Sequence, residues 1–468
     1  MAKDILHTRN VLLRCMCAIY MSAFCSLYLQ IPGLYGEKGI LPGHSMIGDK
    51  KSVKECIMQK KTLLCSMSLL GLNTSYMMEL IALTGTALSF IGLIWKKWCT
   101  TFLFAILWML YLSLYKVGQT FLWFQWDSLL LEVGFLTIVV APFTWSSWTE
   151  YKPRNLVTMW LVRWALFRLM FASGVVKLQS GCPTWWGLTA LNVHYESQCI
   201  PTPLAWFVHH SPDWIHKLAV ASTLALEIAV PFFFFSPIRA HRLFAFYTQV
   251  VFQLCIVLTG NYNFFNLLTM LLCLSLLDDV HLGYRSVRDL SSGFIANVKG
   301  VLNWAAKWTG YAVLTYYLLA YFSIKLSPNG EIEATISFTR ENFAFWVSKA
   351  VPLSITIGAF SLLITVAEAL TSCVFEVKGV VRKAAAFFTT LAYSFVVISL
   401  FGISLVPYTV LHPQTRQTVW PVLKQWHARS SDLEITSSYG LFRHMTGVGG
   451  RPEVILEGAN KLEGPWIE

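Results

Sequence analysis

The chain has 468 residues, of which 55% are hydrophobic and only 13% are charged. Soluble globular proteins carry about 25% charged residues, so this composition excludes a purely soluble protein and indicates that most of the chain lies in lipid. The net charge of +11 does not indicate a nucleic-acid partner, because the basic residues lie in short connections between apolar runs rather than along one stripe.

Eleven apolar runs approach the length of about 20 helical residues that crosses a bilayer. They are 11–30, 76–95, 98–115, 129–143, 156–176, 215–235, 243–259, 264–277, 308–323, 350–370 and 384–406. Three of them are short, so the sequence predicts an all-α polytopic membrane protein with about 9–11 transmembrane helices over residues 1–406. The first run follows basic residues and lacks a small-residue cleavage site, which is typical of a signal anchor.

Basic residues predict the orientation of these helices. They concentrate in the connections after the second, fourth, sixth, eighth and tenth runs: Lys96, Lys97, Lys152, Arg154, Arg239, Arg242, Arg285, Arg288, Lys299, Lys307, Lys378, Arg382 and Lys383. Short basic loops stay in the cytosol, so we expect a cytosolic N-terminus and a lumenal C-terminus. The connection 31–75 has six lysines and goes against this rule, which weakens for long loops.

Three larger segments then lie in the lumen: 31–75, 177–214 and 407–468. The last is polar, contains turn-forming Gly and Pro, and has a β-like run at 453–456. We predict that it begins a β-rich lumenal segment.

Two cysteine pairs and one sequon fall in these predicted lumenal segments. An oxidising lumen favours a disulfide between Cys182 and Cys199, and Cys56 with Cys65 is a second, weaker pair. Asn73-Thr-Ser75 is a possible N-glycosylation site, although it lies close to the membrane.

Charged residues inside apolar runs are costly and therefore informative. Arg163 and Arg168 lie within 156–176, and Glu132, Glu227 and Glu368 are candidate counter-charges. One interpretation is ion pairs that pack helices together, and the other is a polar cavity for a lipid or small substrate.

Further polar positions carry weaker signals. Asp127 is a candidate helix cap, and Lys177, at the end of 156–176, is a candidate interfacial anchor that snorkels. His194-Tyr-Glu196 with His209 and His210 matches no metal-site template, so we expect no metal. The sequence also contains no motif for a catalytic reaction or a cofactor, and we predict neither.

Five stretches resemble the lipase maturation factor family, and the third and fourth are nearer to its second member than to its first. They are 124–132, 161–177, 185–196, 260–269 and 438–453. The resemblance implies an endoplasmic reticulum membrane protein that assists folding, assembly and export of secreted lipases, without catalysis. Its implied partners are immature lipases and membrane lipids. It places client contact in the lumenal regions, represented here by Tyr439, Arg443 and Arg451.

The resemblance also raises two expectations about the chain as a whole. The lumenal domain of the family continues beyond the equivalent of Glu468, so we expect 407–468 to be incomplete relative to the family and the chain to be a shortened form. A more distant similarity to the membrane domain of vitamin K-dependent γ-carboxylases supplies the alternative function, an intramembrane enzyme or lipid-handling protein. Its cavity would be lined by Glu132, Arg163, Arg168, Lys177 and Glu227.

Overall fold

The computed structural model describes residues 5–48, 52–144, 152–284, 294–328, 330–449 and 454–467. It is an all-α bundle, as predicted, and each of the eleven apolar runs corresponds to one main helix. These helices are α1 (Leu6–Tyr35), α2 (Thr74–Ile94), α3 (Thr101–Tyr115), α4 (Gln125–Val140), α5 (Arg154–Gln179), α6 (Asp213–Ile228), α7 (Arg239–Thr259), α8 (Phe265–Cys273), α9 (Phe294–Tyr321), α10 (Arg340–Phe375) and α11 (Val380–Tyr408).

Seven helices in the described part of the chain are long and apolar enough to cross a membrane: α1, α2, α5, α6 with its extension to Phe235, α7, α10, and α11 with its extension to Leu411. Helices α3 and α8 are apolar but shorter. The predicted count of 9–11 is therefore reached only if shorter helices are included.

The connections contain short helices and 3₁₀ turns. These are His44–Ile47, Val53–Lys60, Leu63–Ser66, Met67–Leu70, Lys96–Trp98, Gln119–Leu122, Pro183–Trp186, Ala190–His194, Pro203–His209, Val230–Phe235, Leu274–Leu276, Thr409–Leu411, Pro413–Thr418, Pro421–Ser430 and Ser431–Leu433. Two-residue strands β1 (Lys325–Leu326) and β2 (Ile332–Glu333) pair antiparallel between α9 and α10.

The helix ends lie on two faces of the bundle, which we name after the ends of the chain. On the N-terminal face, where α1 begins, the carboxylate of Asp279 accepts hydrogen bonds from the backbone N–H groups of His7 and Thr8 at 3.0 and 2.8 Å. This carboxylate caps the first turn of α1 from a distant connection. On the C-terminal face, where α11 ends, Gln179 donates to the Leu411 carbonyl at 2.8 Å. The charged connections that follow α2, α6 and α10 lie on the N-terminal face.

Helix α5 is the centre of the core, and it packs against α4, α6, α8, α10 and α11. It presents an aromatic side chain on successive turns: Trp160, Trp164, Phe167 and Phe171 stack in that order, with ring centroids 5.4–6.1 Å apart. Offset and edge-on aromatic contacts contribute packing energy beyond simple area burial. Because α5 is buried on almost all sides, apolar residues occur around its whole circumference, and its charged residues need partners inside the bundle.

The C-terminal segment differs from its prediction. Within 407–468 the described residues form short helices up to Leu433 and then mostly irregular backbone, and the only described pairing is one bridge between Gly458 and Ile467. The β-like run is not a strand over Val454–Leu456, and it pairs with no strand among the described residues. Glu453 and Arg451 lie outside the described residues, as do Arg285 and Arg288.

The disulfide also differs from the preferred prediction. Cys56 and Cys65 are joined, and Cys182 and Cys199 are free thiols. The Cys182 sulfur is buried 3.2 Å from the Thr184 hydroxyl, whereas Cys199 is exposed in its loop. The weaker pair was thus the right one.

Candidate functional site: a buried charge network closed by the C-terminal segment

Two buried ion pairs connect α5 to its neighbours. Arg168 on α5 pairs with Glu132 on α4, and their side chains are 3% and 1% exposed. Lys177, also on α5, pairs with Glu227 on α6 at 2.7 Å. Both acids are among the predicted counter-charges. Buried charges persist only when they are paired and hydrogen-bonded, so each pair depends on its surroundings.

The side chain of Lys177 is buried inside the bundle, contrary to the prediction that it snorkels. Its side chain is 2% exposed, because Gly174 lets α6 approach α5 closely. A Cβ at position 174 would lie 2.6 Å from the Ile228 side chain and 2.8 Å from the Glu227 Cβ. This close approach places the carboxylate of Glu227 within reach of the lysine.

The first pair is completed by residues 437–442, which we call the strap. The strap enters the bundle from the C-terminal face. The backbone N–H of Ser437 and the hydroxyl of Tyr439 donate to Glu132 Oε2 at 2.8 and 2.6 Å. Arg168 Nη1 donates to the Ser437 carbonyl at 3.2 Å. Glu132 is therefore satisfied by an ion pair and by two donors from more than 300 residues along the chain.

The second pair is bound by the same strap. Lys177 Nζ donates to the carbonyl of Leu441 at 3.2 Å, and its third acceptor is the Ser173 carbonyl at 3.3 Å. The Trp185 indole donates to the Phe442 carbonyl at 2.9 Å, and its ring centroid is 5.3 Å from Nζ. The ammonium group thus has three oxygen acceptors and an aromatic face, which compensates its removal from water.

The strap has an unusual backbone at its end. Phe442 has φ of +53°, a left-handed conformation that costs about 1–3 kcal/mol for a bulky residue. The surrounding contacts hold it there, since its carbonyl is bonded to Trp185 and its ring lies against His194 and Tyr262.

The remaining predicted polar residues lie outside both pairs. Arg163 donates through Nε and Nη2 to the Ser275 carbonyl at 3.2 and 2.8 Å, and it pairs with no carboxylate in the described part of the chain. Asp127 lies in the first turn of α4, where it accepts from the Phe124 N–H and the Tyr111 hydroxyl at 3.3 and 2.7 Å. Glu368 is exposed on α10. The predicted cluster therefore separates into two pairs, a helix cap and an arginine bound to a carbonyl.

The predicted client-contact residues have different surroundings. Tyr439 is 5% exposed and bound to Glu132, so it is a structural residue and cannot contact a client in this conformation. Arg443 is exposed, and Arg451 lies outside the described residues. Asn73 is exposed and caps α2, since its side-chain oxygen accepts from the Tyr76 N–H at 2.9 Å.

A small cavity of about 80 Å³ adjoins the second ion pair, and His194 is in its wall. His194 Nε2 and the Tyr262 hydroxyl are 2.9 Å apart. Burial, together with the nearby charge of Lys177, lowers the pKa of His194 to about 4. The imidazole is therefore neutral at physiological pH.

The strap was not anticipated from the sequence. Its residues overlap the motif at 438–453, and its partners Gln125, Glu132, Arg168, Lys177 and Trp185 lie in three other motifs. The signal for these contacts in the sequence was that several motifs, distant from one another along the chain, are rich in polar groups. What the arrangement does chemically is neutralise four buried charges and attach the C-terminal segment to the bundle.

Comparison with known proteins gives consistent matches. The sequence profile described as "Lipase maturation factor transmembrane domain" matches residues 7–284. Lipase maturation factor 2 of Gallus gallus is 46% identical over 98% of this chain and 65% of its own length. The Homo sapiens protein of that name is 42% identical over 96% of this chain and 66% of its own length. Lipase maturation factor 1 of Homo sapiens is 35% identical over 59% of this chain and 49% of its own length. No solved structure matches. This chain thus spans about two thirds of the length of the relatives that match it over most of its residues.

Proposed function

The chain belongs to the lipase maturation factor family, and from this premise we propose that it assists the folding, assembly and export of secreted lipases from the endoplasmic reticulum membrane. The proposal rests on the similarity of 98% of the chain to Lipase maturation factor 2 of Gallus gallus. We propose a chaperone-like role rather than catalysis. The two pairs of buried charges support this role, since Glu132 is engaged by Arg168 and two hydrogen-bond donors and Glu227 is engaged by Lys177.

The orientation that we propose places the N-terminal face in the cytosol and the C-terminal face in the lumen. Basic residues at the helix ends of the N-terminal face support it, because Lys96 and Lys97 follow α2, Arg239 and Arg242 lie in the first turn of α7, and Arg382 and Lys383 lie in the first turn of α11. This orientation puts Asn73 in the lumen, exposed and available for glycosylation. It also puts the Cys56–Cys65 disulfide in an oxidising compartment.

We propose that a client lipase contacts the C-terminal face. The strap supports this proposal because it connects the bundle rigidly to the polar segment that follows α11. Arg443 is the exposed member of the predicted set, while Tyr439 has the structural role described above. A client bound to this face would be held beside the membrane, where an incompletely folded lipase is kept apart from other chains.

The test is a rescue assay in cells that lack the family. The chain, and a version extended by the complete lumenal domain of a relative, are each co-expressed with a secreted dimeric lipase. The readout is lipase activity in the medium divided by lipase mass, which separates maturation from expression. The variant Glu132→Gln, compared at equal expression and membrane insertion, tests whether the buried pair with Arg168 is needed, because it removes that charge without altering exposed residues.

A rise in specific activity with either form supports the proposal. Rescue by the extended form alone would place part of the client contact beyond residue 468. Unchanged specific activity with both forms, at confirmed expression and membrane insertion, would refute lipase maturation as the function.

A further inference from the structure

A second and larger cavity lies on the C-terminal face, where the end of α5, the end of α11 and the strap meet. Its volume is about 210 Å³. The wall combines polar side chains, among them Arg168, Gln179 and Arg443, with apolar ones, among them Val176, Val410 and Leu411. The proposed function assigns no role to this cavity.

The wall of this cavity is positively charged. Two guanidinium groups line it, and its lining residues include no carboxylic acid. The charge of Arg168 is balanced from behind by Glu132, but its Nε–H is buried and has no acceptor. The guanidinium of Arg443 forms no ion pair or hydrogen bond with the described residues. Among the residues that line the cavity, Arg443 therefore carries a positive charge that no carboxylate balances.

The backbone of the strap helps to place Arg443. A Cβ at Gly440 would lie 3.2 Å from Arg443 Nη2 and 3.3 Å from the Val176 side chain. The guanidinium thus rests directly over a residue without a side chain, at the edge of the cavity. A planar guanidinium in such a position matches a carboxylate or phosphate with two parallel hydrogen bonds.

The apolar part of the wall continues toward the outside of the bundle. Val410 is 49% exposed, and it lies at the C-terminal end of the candidate membrane span Val380–Leu411. A ligand pocket that encloses a drug-sized molecule has a volume of about 300–1,000 Å³. The present cavity is smaller, so it has room for a headgroup but not for an acyl chain.

From the unbalanced charge of Arg443 and the apolar exit, we propose that this cavity binds the acidic headgroup of a membrane lipid, a carboxylate or a phosphate. The headgroup lies between Arg168 and Arg443, and the acyl chain leaves past Val410 into the bilayer. The site is independent of lipase maturation, and it would exist whether or not a client binds.

The experiment measures binding of tritiated oleate to the purified full chain in non-ionic detergent by scintillation proximity. Unlabelled lysophosphatidate, lysophosphatidylcholine and inorganic phosphate are the competitors. The variants are Arg443→Gln and Arg443→Lys, with Arg416→Gln as the matched control, an exposed arginine on the same face. Thermal unfolding of each variant verifies that the fold is kept.

We expect Arg443→Gln to weaken oleate binding tenfold or more, because a charge-assisted pair of hydrogen bonds is lost. Arg443→Lys keeps the positive charge but cannot form two parallel hydrogen bonds, so its affinity for oleate should be intermediate. Arg416→Gln should leave oleate binding unchanged. Lysophosphatidate should compete and lysophosphatidylcholine should not. Equal binding by Arg443→Gln and the unmodified chain would overturn the site. Competition by inorganic phosphate as strong as that by lysophosphatidate would overturn its assignment to a lipid.

Discussion

Replacing Glu132 by Gln tests whether the buried pair with Arg168 stabilises the bundle. The substitution keeps the shape of the side chain and an oxygen that accepts from Ser437 and Tyr439, but it removes the negative charge. Arginine cannot lose its proton in a protein, so a guanidinium that is 3% exposed would remain charged without a counter-charge. Removing one partner of such a pair costs about 3–5 kcal/mol.

The double variant Glu132→Gln with Arg168→Met isolates the pair itself. It removes both charges and keeps an acceptor for the two strap donors, so it should be more stable than the sum of the single losses predicts. We expect a coupling energy of about 2 kcal/mol or more, at the upper part of the range for residues in direct contact.

The measurement is equilibrium unfolding in mixed micelles of a non-ionic detergent and sodium dodecyl sulfate, followed by tryptophan fluorescence. Arg416→Gln is the matched control, since it removes an exposed arginine and should change the free energy of unfolding by less than about 0.5 kcal/mol. A coupling energy near zero, or a loss for Glu132→Gln no larger than that of the control, would refute the argument from buried charge.

Three further outcomes follow from the structure. Glu227→Gln should destabilise the chain less than Glu132→Gln in the same micelle assay, because the ammonium of Lys177 keeps two carbonyl acceptors whereas the guanidinium of Arg168 keeps one; an equal or larger loss would contradict this. Non-reducing peptide mapping should find Cys56 linked to Cys65, and replacing both by Ser should cost about 2–3 kcal/mol through the larger entropy of the unfolded loop; a different linkage in the map would refute the pairing. His194 has an ordinary pKa of 6.5 in the unfolded chain and about 4 in the folded chain, so between these values only the unfolded chain binds the proton. The free energy of unfolding should therefore be unaffected by His194 protonation at pH 7 and should fall by about 1.4 kcal/mol per pH unit from pH 6.5 down to the folded pKa. A variant with His194→Gln that shows the same pH dependence as the unmodified chain would disprove this.

Composition and the lengths of the apolar runs are sufficient to predict the main helices. The positions of all eleven main helices follow from apolar runs, because a helix in lipid must satisfy its backbone internally and is therefore continuous in sequence. Intramembrane charges could also be recognised individually, since each stands out against an apolar run. The resemblance to the family came from the same local stretches, among them those around Glu132 and Arg168.

The partners of those charges were decided only by the tertiary structure. The sequence does not show that Arg163 reaches a carbonyl while Lys177 reaches Glu227, because the answer depends on how closely α6 approaches α5 at Gly174. The strap is the clearest case, since Tyr439 and Glu132 are separated by 307 residues. Local patterns determine which segments are helices and which charges must be compensated, but the packing of helices and the path of the chain between them determine which groups compensate them.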